Sequence, residues 1–179
     1  TFSARGTGAA DAIAATDAPP APDAGAPADR EAWLGIDVGS VSTKAVAIDA
    51  RDRVLASCYL PTAGRPVDAV RAAMAGLASS LPPGTRFARV VTTGSGRHLA
   101  RDLVDADDAI DEISAQARAA TWFAPDVDTV FEIGGQDAKY LGLADGALAR
   151  FQMNRACAAG TGAFLEEQSG RLGIDVRRD

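Results

Sequence analysis

Cys157 sits in the stretch Met153-Asn154-Arg155-Ala156-Cys157-Ala158-Ala159-Gly160-Thr161-Gly162-Ala163-Phe164-Leu165-Glu166-Glu167, beside a small-residue turn that leads into a helical pattern. A thiol at a helix start meets the partial positive charge, about half a unit, that aligned peptide dipoles leave there. That field favours the thiolate, the form that attacks electrophiles and binds metals. Just upstream, Phe131-Glu132-Ile133-Gly134-Gly135-Gln136-Asp137 reads as a strand ending in a glycine turn. A similar arrangement, Asp37-Val38-Gly39-Ser40, closes an earlier strand.

Each of these two turns puts one carboxylate at a strand end. Behind it comes a glycine loop whose backbone N–H groups can approach an anion. A phosphate held by such amides still needs its charge neutralised, and a divalent metal such as magnesium does that with carboxylate, water and phosphate oxygens. Two facing turns of this kind make a clamp for a nucleotide phosphate chain, and Lys44 and Lys139 add positive charge nearby. Either turn alone is equally an ordinary hairpin, since Asp and Gly both favour turns. It is their matching placement that favours phosphate. The P-loop pattern G-x-x-x-x-G-K-[ST] is absent, and Gly94-Ser95-Gly96 has Leu99 where a dinucleotide loop would need its third glycine.

The elements that carry these turns follow from pattern. Short apolar or alternating runs predict strands at 34–38, 44–49, 54–60, 87–93, 129–133, 139–143 and 148–153. Ala45 and Ala47 fall on one face of the second run. Asp49 to Arg53 and Asp145-Gly146 read as hairpin turns. Pro66 fits a helix first turn, Val67, Val70, Met74 and Leu77 form its apolar stripe, and Leu81-Pro82-Pro83-Gly84 stops it. The acidic run Asp105 to Asp108 is expected to start a helix over about 110–122. A last helix runs from about Gly160 to Leu172, capped by Gly173. Strand, acid, glycine turn and two further strands thus occur twice, as a weak internal repeat.

The 179 residues suit one domain or a little more, and 47% hydrophobic content supports a sizeable core. A net charge of -6 excludes the basic footprint of a nucleic-acid binder. No run approaches the roughly 20 apolar residues that span a bilayer. Without a signal sequence the chain is expected to be cytoplasmic, and the Thr at position 1 suggests a piece of something larger. Residues 1–31 are rich in Ala, Pro, Asp and Gly and read as a disordered linker or tail. Cys58 and Cys157 are too few for a disulfide framework. Cys58 reads as a small core residue, and His98 as a loop residue.

Asp37-Val38-Gly39-Ser40-Val41-Ser42-Thr43-Lys44 resembles the first phosphate motif of the acetate and sugar kinase, heat-shock chaperone and actin superfamily. Thr93-Gly94-Ser95-Gly96-Arg97, Glu132 through Lys139 and Met153 through Gly162 are similar to one branch of it. That branch holds the ATPase activators of 2-hydroxyacyl-CoA dehydratases and the ATPase subunits of benzoyl-CoA reductases. The resemblance covers about residues 33–175. It implies an α/β, ribonuclease H-like (actin-like ATPase) fold with a mixed five-stranded sheet flanked by helices. Residues 32–127 would be the first lobe and residues 128–179 the beginning of a second.

The resemblance implies ATP hydrolysis with Mg2+, coupled to low-potential electron transfer from a 4Fe-4S cluster shared between two protomers or paired ATPase domains. The partner would be a dehydratase or reductase, with no nucleic acid or membrane involved. By position, Asp37 would organise magnesium through water. Gly39, Ser40, Ser42, Thr43 and Lys44 would bind phosphates. Glu132, Gly134, Gly135, Gln136, Asp137 and Lys139 would form the second phosphate turn, with Gly160, Thr161 and Gly162 beyond it. Gln136 and Glu112 are candidate catalytic residues, Glu112 for placing the attacking water. Read from residues alone, Glu112 is equally a first-turn acid on a surface helix. Cys157 matches the first of two family cluster cysteines, and read alone is equally a plain buried cysteine. A small-molecule kinase and a non-catalytic nucleotide-binding module are the alternative functions.

Overall fold

A computed structural model describes residues 31–155 and 161–174. The chain opens with three antiparallel strands, β1 (Glu31–Val38), β2 (Ser42–Ile48) and β3 (Val54–Pro61). Helix α1 (Pro66–Ser80) follows, then β4 (Arg86–Thr93), α2 (Arg97–Val104) and the two-residue β5 (Asp108–Ala109). Both β4 and β5 lie parallel to their neighbours, so the mixed five-stranded sheet has the order β3-β2-β1-β4-β5. Helix α3 (Glu112–Phe123) leads to a second, antiparallel sheet of β6 (Thr129–Ile133), β7 (Ala138–Ala144) and β8 (Ala147–Met153), and α4 (Gly162–Leu172) ends the described chain.

Burial follows the alternation of the strands. Leu34, Ile36 and Val38 of β1 and Ala45 and Ala47 of β2 face inward, with Val70, Ala73 and Leu77 of α1 and Ala100 of α2 closing over them. The small alanines of β2 let α1 approach the sheet, and α1 and α2 touch each other over the same face. Each large aliphatic side chain so buried contributes about 1.5–3 kcal/mol. Cys58 is half-buried on β3 and packs against this cluster. A second cluster joins Ala117, Ile113 and Ala120 of α3 to Val130, Leu141, Leu143 and Leu148. By packing, α3 therefore sides with the second sheet.

The terminators expected from sequence do their work. Pro66 takes the first helical position of α1, and the chain turns extended at Leu81 before Pro82. Asp145 and Gly146 both have positive φ, as a two-residue primed hairpin requires. Gly173 caps α4 in the left-handed region.

The acidic run is placed differently from the expectation. Asp105 ends α2 in the left-handed region, the Asp107 carboxylate accepts the Val90 N–H at 2.6 Å, and Asp108 opens β5. Helix α3 starts later, with Asp111 as its cap. The run thus closes one helix and joins a sheet edge instead of opening a helix. Helix α2 itself went unread, because Gly96 precedes it with no side-chain cap. The expected tail over residues 1–31 lies, apart from Glu31, outside the described residues.

Candidate phosphate-binding cleft

The internal repeat extends to the acid–lysine pair and the turn hydrogen bond. Asp37 at the end of β1 faces Lys44 of β2 across the ladder, and Glu132 at the end of β6 faces Lys139 of β7. Lys44 Nζ donates to Asp37 at 2.9 Å, and Lys139 Nζ to Glu132 at 2.8 Å. Between each pair the chain reverses in the same way. Gly39 N–H donates to the Ser42 carbonyl at 2.9 Å, and Gly134 N–H to the Asp137 carbonyl at 2.8 Å.

The first turn is tied from behind. Thr62 donates its hydroxyl to the Gly39 carbonyl at 2.7 Å and its N–H to the Val41 carbonyl at 2.8 Å. Thr43 is fully buried and its hydroxyl meets that of Thr62 at 2.9 Å, so it supports the turn from inside and does not line the cleft. A third loop, Gly94-Ser95-Gly96, folds over the end of β1, with Gly96 N–H donating to the Val38 carbonyl at 2.8 Å.

The two turns meet tip to tip. A Cβ on Gly135 would come 2.7 Å from Val41 Cγ2, so a side chain there would force Val41 to shift before the second turn could seat on the first. Between them lies a cleft of about 190 Å3. Asp37, Gly39, Ser40, Ser42 and Lys44 line it from the first turn. Glu132, Gly134, Gly135, Gln136 and Asp137 line it from the second. Glu112, from the first turn of α3, closes one side. Ser95 also lines it, a residue that sequence reasoning left out of the site although its glycine-flanked position at a strand end was the signal.

Lys139 is the most constrained charge here. Its side chain is 2% exposed, and it donates to Asp137 at 2.7 Å, Glu132 at 2.8 Å and Glu112 at 3.1 Å. Burial alone would depress this ammonium. The hydrogen bonds to Asp137, Glu132 and Glu112 outweigh it and hold the group above the usual lysine range. Lys44 differs: it is 46% exposed, pairs with Asp37 and lies over the Tyr59 ring at 5.9 Å.

Four carboxylates thus face two ammonium groups, a net charge of two negatives around the cleft. A polyanion enters such a cleft only with a cation. The Asp37 carboxylate, partly exposed beside the glycine turn and paired with a half-exposed lysine, suits a hydrated divalent ion. The centre of the Glu112, Glu132 and Asp137 cluster is filled by Lys139.

Helix α4 is seated on the second turn, with Gly162 N–H donating to the Gly134 carbonyl at 2.8 Å. Thr161, at its N-cap, is fully buried with a hydroxyl that makes no cap hydrogen bond. Cys157 and Gly160 lie outside the described residues. His98 is exposed in α2 rather than in a loop, away from the cleft. Among the described residues no helix is long and apolar enough to cross a membrane.

Comparison with known proteins adds the following. The family profile described as "BadF/BadG/BcrA/BcrD ATPase family" matches residues 34–179. The activator of lactoyl-CoA dehydratase from Anaerotignum propionicum is 42% identical over 139 residues, which is 74% of this chain and 51% of that protein. The crystal structure of the Acidaminococcus fermentans (R)-2-hydroxyglutaryl-CoA dehydratase component A superposes with a TM-score of 0.67 at 31% identity, covering 81% of this chain and 55% of that one. The activator of the 2-hydroxyisocaproyl-CoA dehydratase from Clostridium difficile, solved with bound ADPNP, superposes at 0.65 with 34% identity, covering 81% and 53%. The chain therefore spans about half the length of the curated relatives it matches.

Proposed function

The chain belongs to the BadF/BadG/BcrA/BcrD ATPase family, and from that premise we propose that it is the front part of an ATP-hydrolysing activase. In this reading its two acid-glycine turns grip the phosphate chain of Mg·ATP. Residues 32–127 form the first lobe and residues 128–179 open the second. The full-length, cytoplasmic protein activates a 2-hydroxyacyl-CoA dehydratase or a benzoyl-CoA reductase-type partner. The observation that carries the reading is the repeated acid–glycine–lysine register, with both turns facing one cleft.

The residues divide the work by position. The Gly39 and Gly134 N–H groups close the turns, and the backbone N–H groups of Ser40, Gly135 and Gln136, with the Ser42 hydroxyl, cradle phosphate oxygens. Asp37 would hold a hydrated metal ion through its carboxylate, and Lys44, which lines the same cleft, would offer its ammonium to the phosphates. Glu112, aimed by its hydrogen bond from Lys139, positions the attacking water, and Gln136 reaches in from the tip of the second turn. Magnesium supplies neutralisation of phosphate charge, and a 4Fe-4S cluster supplies the electron for the partner. Such a cluster takes four thiolates. The family resemblance implies that Cys157 would be one of these ligands, whereas Cys58 packs on the first-lobe core.

Two variants of the full-length protein test this. Asp37→Asn should lower the turnover number for ATP by about 100-fold or more, the usual effect of removing a charge-stabilising group. Wild-type turnover in that variant would overturn the cleft assignment. Cys157→Ser should abolish the brown colour of the anaerobically reconstituted dimer while leaving ATP hydrolysis in place. Colour that persists would remove Cys157 from the cluster.

A further inference from the structure

Lys139 stands beside an anion-binding cleft yet has nothing left to offer an anion. An ammonium has three N–H donors, and Asp137, Glu132 and Glu112 take all of them. The carboxylate oxygens of these three acids lie within 4.8 Å of one another, a spacing that would otherwise hold a metal ion. The acids come from separate elements: Glu112 from α3, Glu132 from β6 and Asp137 from the second turn. Without a cation among them they would repel, and Glu112 would swing out of the cleft it lines. At the matching place in the other turn Lys44 has one acid partner and is half exposed.

We infer that Lys139 is a positioning residue that permanently occupies the place of a second divalent cation, fixing Glu112 and leaving Asp37 as the single exchangeable cation place in the cleft. Its role on Glu112 rests on the ATPase reading. Its occupation of the acid cluster does not. One consequence is that the two lysines, alike in sequence and register, have opposite duties. Lys44 can move with the ligand, and Lys139 cannot. A second is that removing Lys139 should create a metal site out of residues already present.

The test uses the full-length protein and Mn2+ as the probe, read by electron paramagnetic resonance. Wild type should bind a single Mn2+ per chain in the presence of a non-hydrolysable ATP analogue. A second bound ion in wild type would overturn the inference whatever the variants do. Lys139→Ala should gain an additional Mn2+, and its melting temperature should rise on adding Mn2+, whereas nucleotide-free wild type should not shift. The double variant Lys139→Ala/Glu112→Gln should bind that extra ion at least about tenfold more weakly, as expected when a ligand is lost. Failure of Lys139→Ala to gain an ion, or to regain a folded state with Mn2+ present, would overturn it.

The kinetic arm asks about positioning. Lys139→Ala should lose about 10- to 100-fold in kcat with little change in KM for ATP, and Mn2+ should restore part of the loss. A merely structural role would leave that loss unresponsive to the ion, against the inference. If wild type itself does not hydrolyse ATP, the ATPase reading falls while the Mn2+ binding and melting results still decide what Lys139 does.

Discussion

Gly94 has a φ of 87° directly beside the Asp37 carboxylate. A Cβ there would run into that carboxylate and come 2.6 Å from the Val38 carbonyl oxygen. Gly64 has a similar φ of 70° but open space around it. Comparing alanine at both separates backbone strain from collision. Gly64→Ala should cost about 1–2 kcal/mol, the price of the left-handed region for an L-residue. Gly94→Ala should cost more, by roughly a further 1–3 kcal/mol of forced repacking. Urea unfolding of both variants checks this, and equal losses would mean that the loop yields without disturbing Asp37. That Gly94 mattered was legible in its motif. What it abuts was not, because nothing in a single sequence marks two residues from different strands as neighbours. The same limit applies to Thr43, whose type and place fit a phosphate contact but whose hydroxyl is spent on Thr62 inside the fold.

Helix α3 carries Glu112 to the cleft, and its start is set by Asp111. That carboxylate accepts the Ser114 hydroxyl at 2.6 Å and the Ser114 N–H at 2.8 Å. Those two hydrogen bonds lower its pKa below the ordinary 3.8, against a smaller opposing effect of burial. A depressed carboxylate stabilises the fold above its unfolded pKa, and that contribution is lost as pH falls through the folded value. Asp111→Ala should therefore cost about 1 kcal/mol at neutral pH, as for a lost cap. The gap to wild type should shrink below pH 3.8, which denaturant melts at neutral and acid pH would reveal. A gap that holds constant would mean that the cap is not electrostatic. The acids just before it illustrate why some elements resist reading. Asp105 to Asp108 share one chemical character, yet Asp105 ends a helix, Asp107 ties to β4 and Asp108 starts a strand. A two-residue strand has no period to detect, and a helix with a glycine N-cap announces no start. The strands β1 to β4 and β6 to β8, with their alternation and turn residues, offered both signals.

Among the described residues one hairpin is used twice, and the two copies approach each other where Val41 of the first meets Gly135 of the second. The duplication was visible in the sequence, because acid, glycine and lysine recur in the same order. The contact was not, because valine and glycine are unremarkable in any turn. Its consequence is mechanical: the width of the cleft depends on how closely the two tips approach. Gly135 has no positive φ, so alanine suits its backbone and only the Val41 side chain opposes it. In the full-length protein, Gly135→Ala should weaken binding of an ATP analogue by about tenfold, since roughly 1.4 kcal/mol is what a forced displacement of packed groups costs. Val41→Ala alone should change affinity little, and adding it to Gly135→Ala should restore most of the loss. A coupling of about 1 kcal/mol or more is the mark of residues in direct contact. Isothermal titration of the four proteins closes the cycle. If the two effects simply add, the tips do not set the spacing of the phosphate turns, and the cleft owes its width to the Lys139 cluster and the seating of α4 on Gly134 instead.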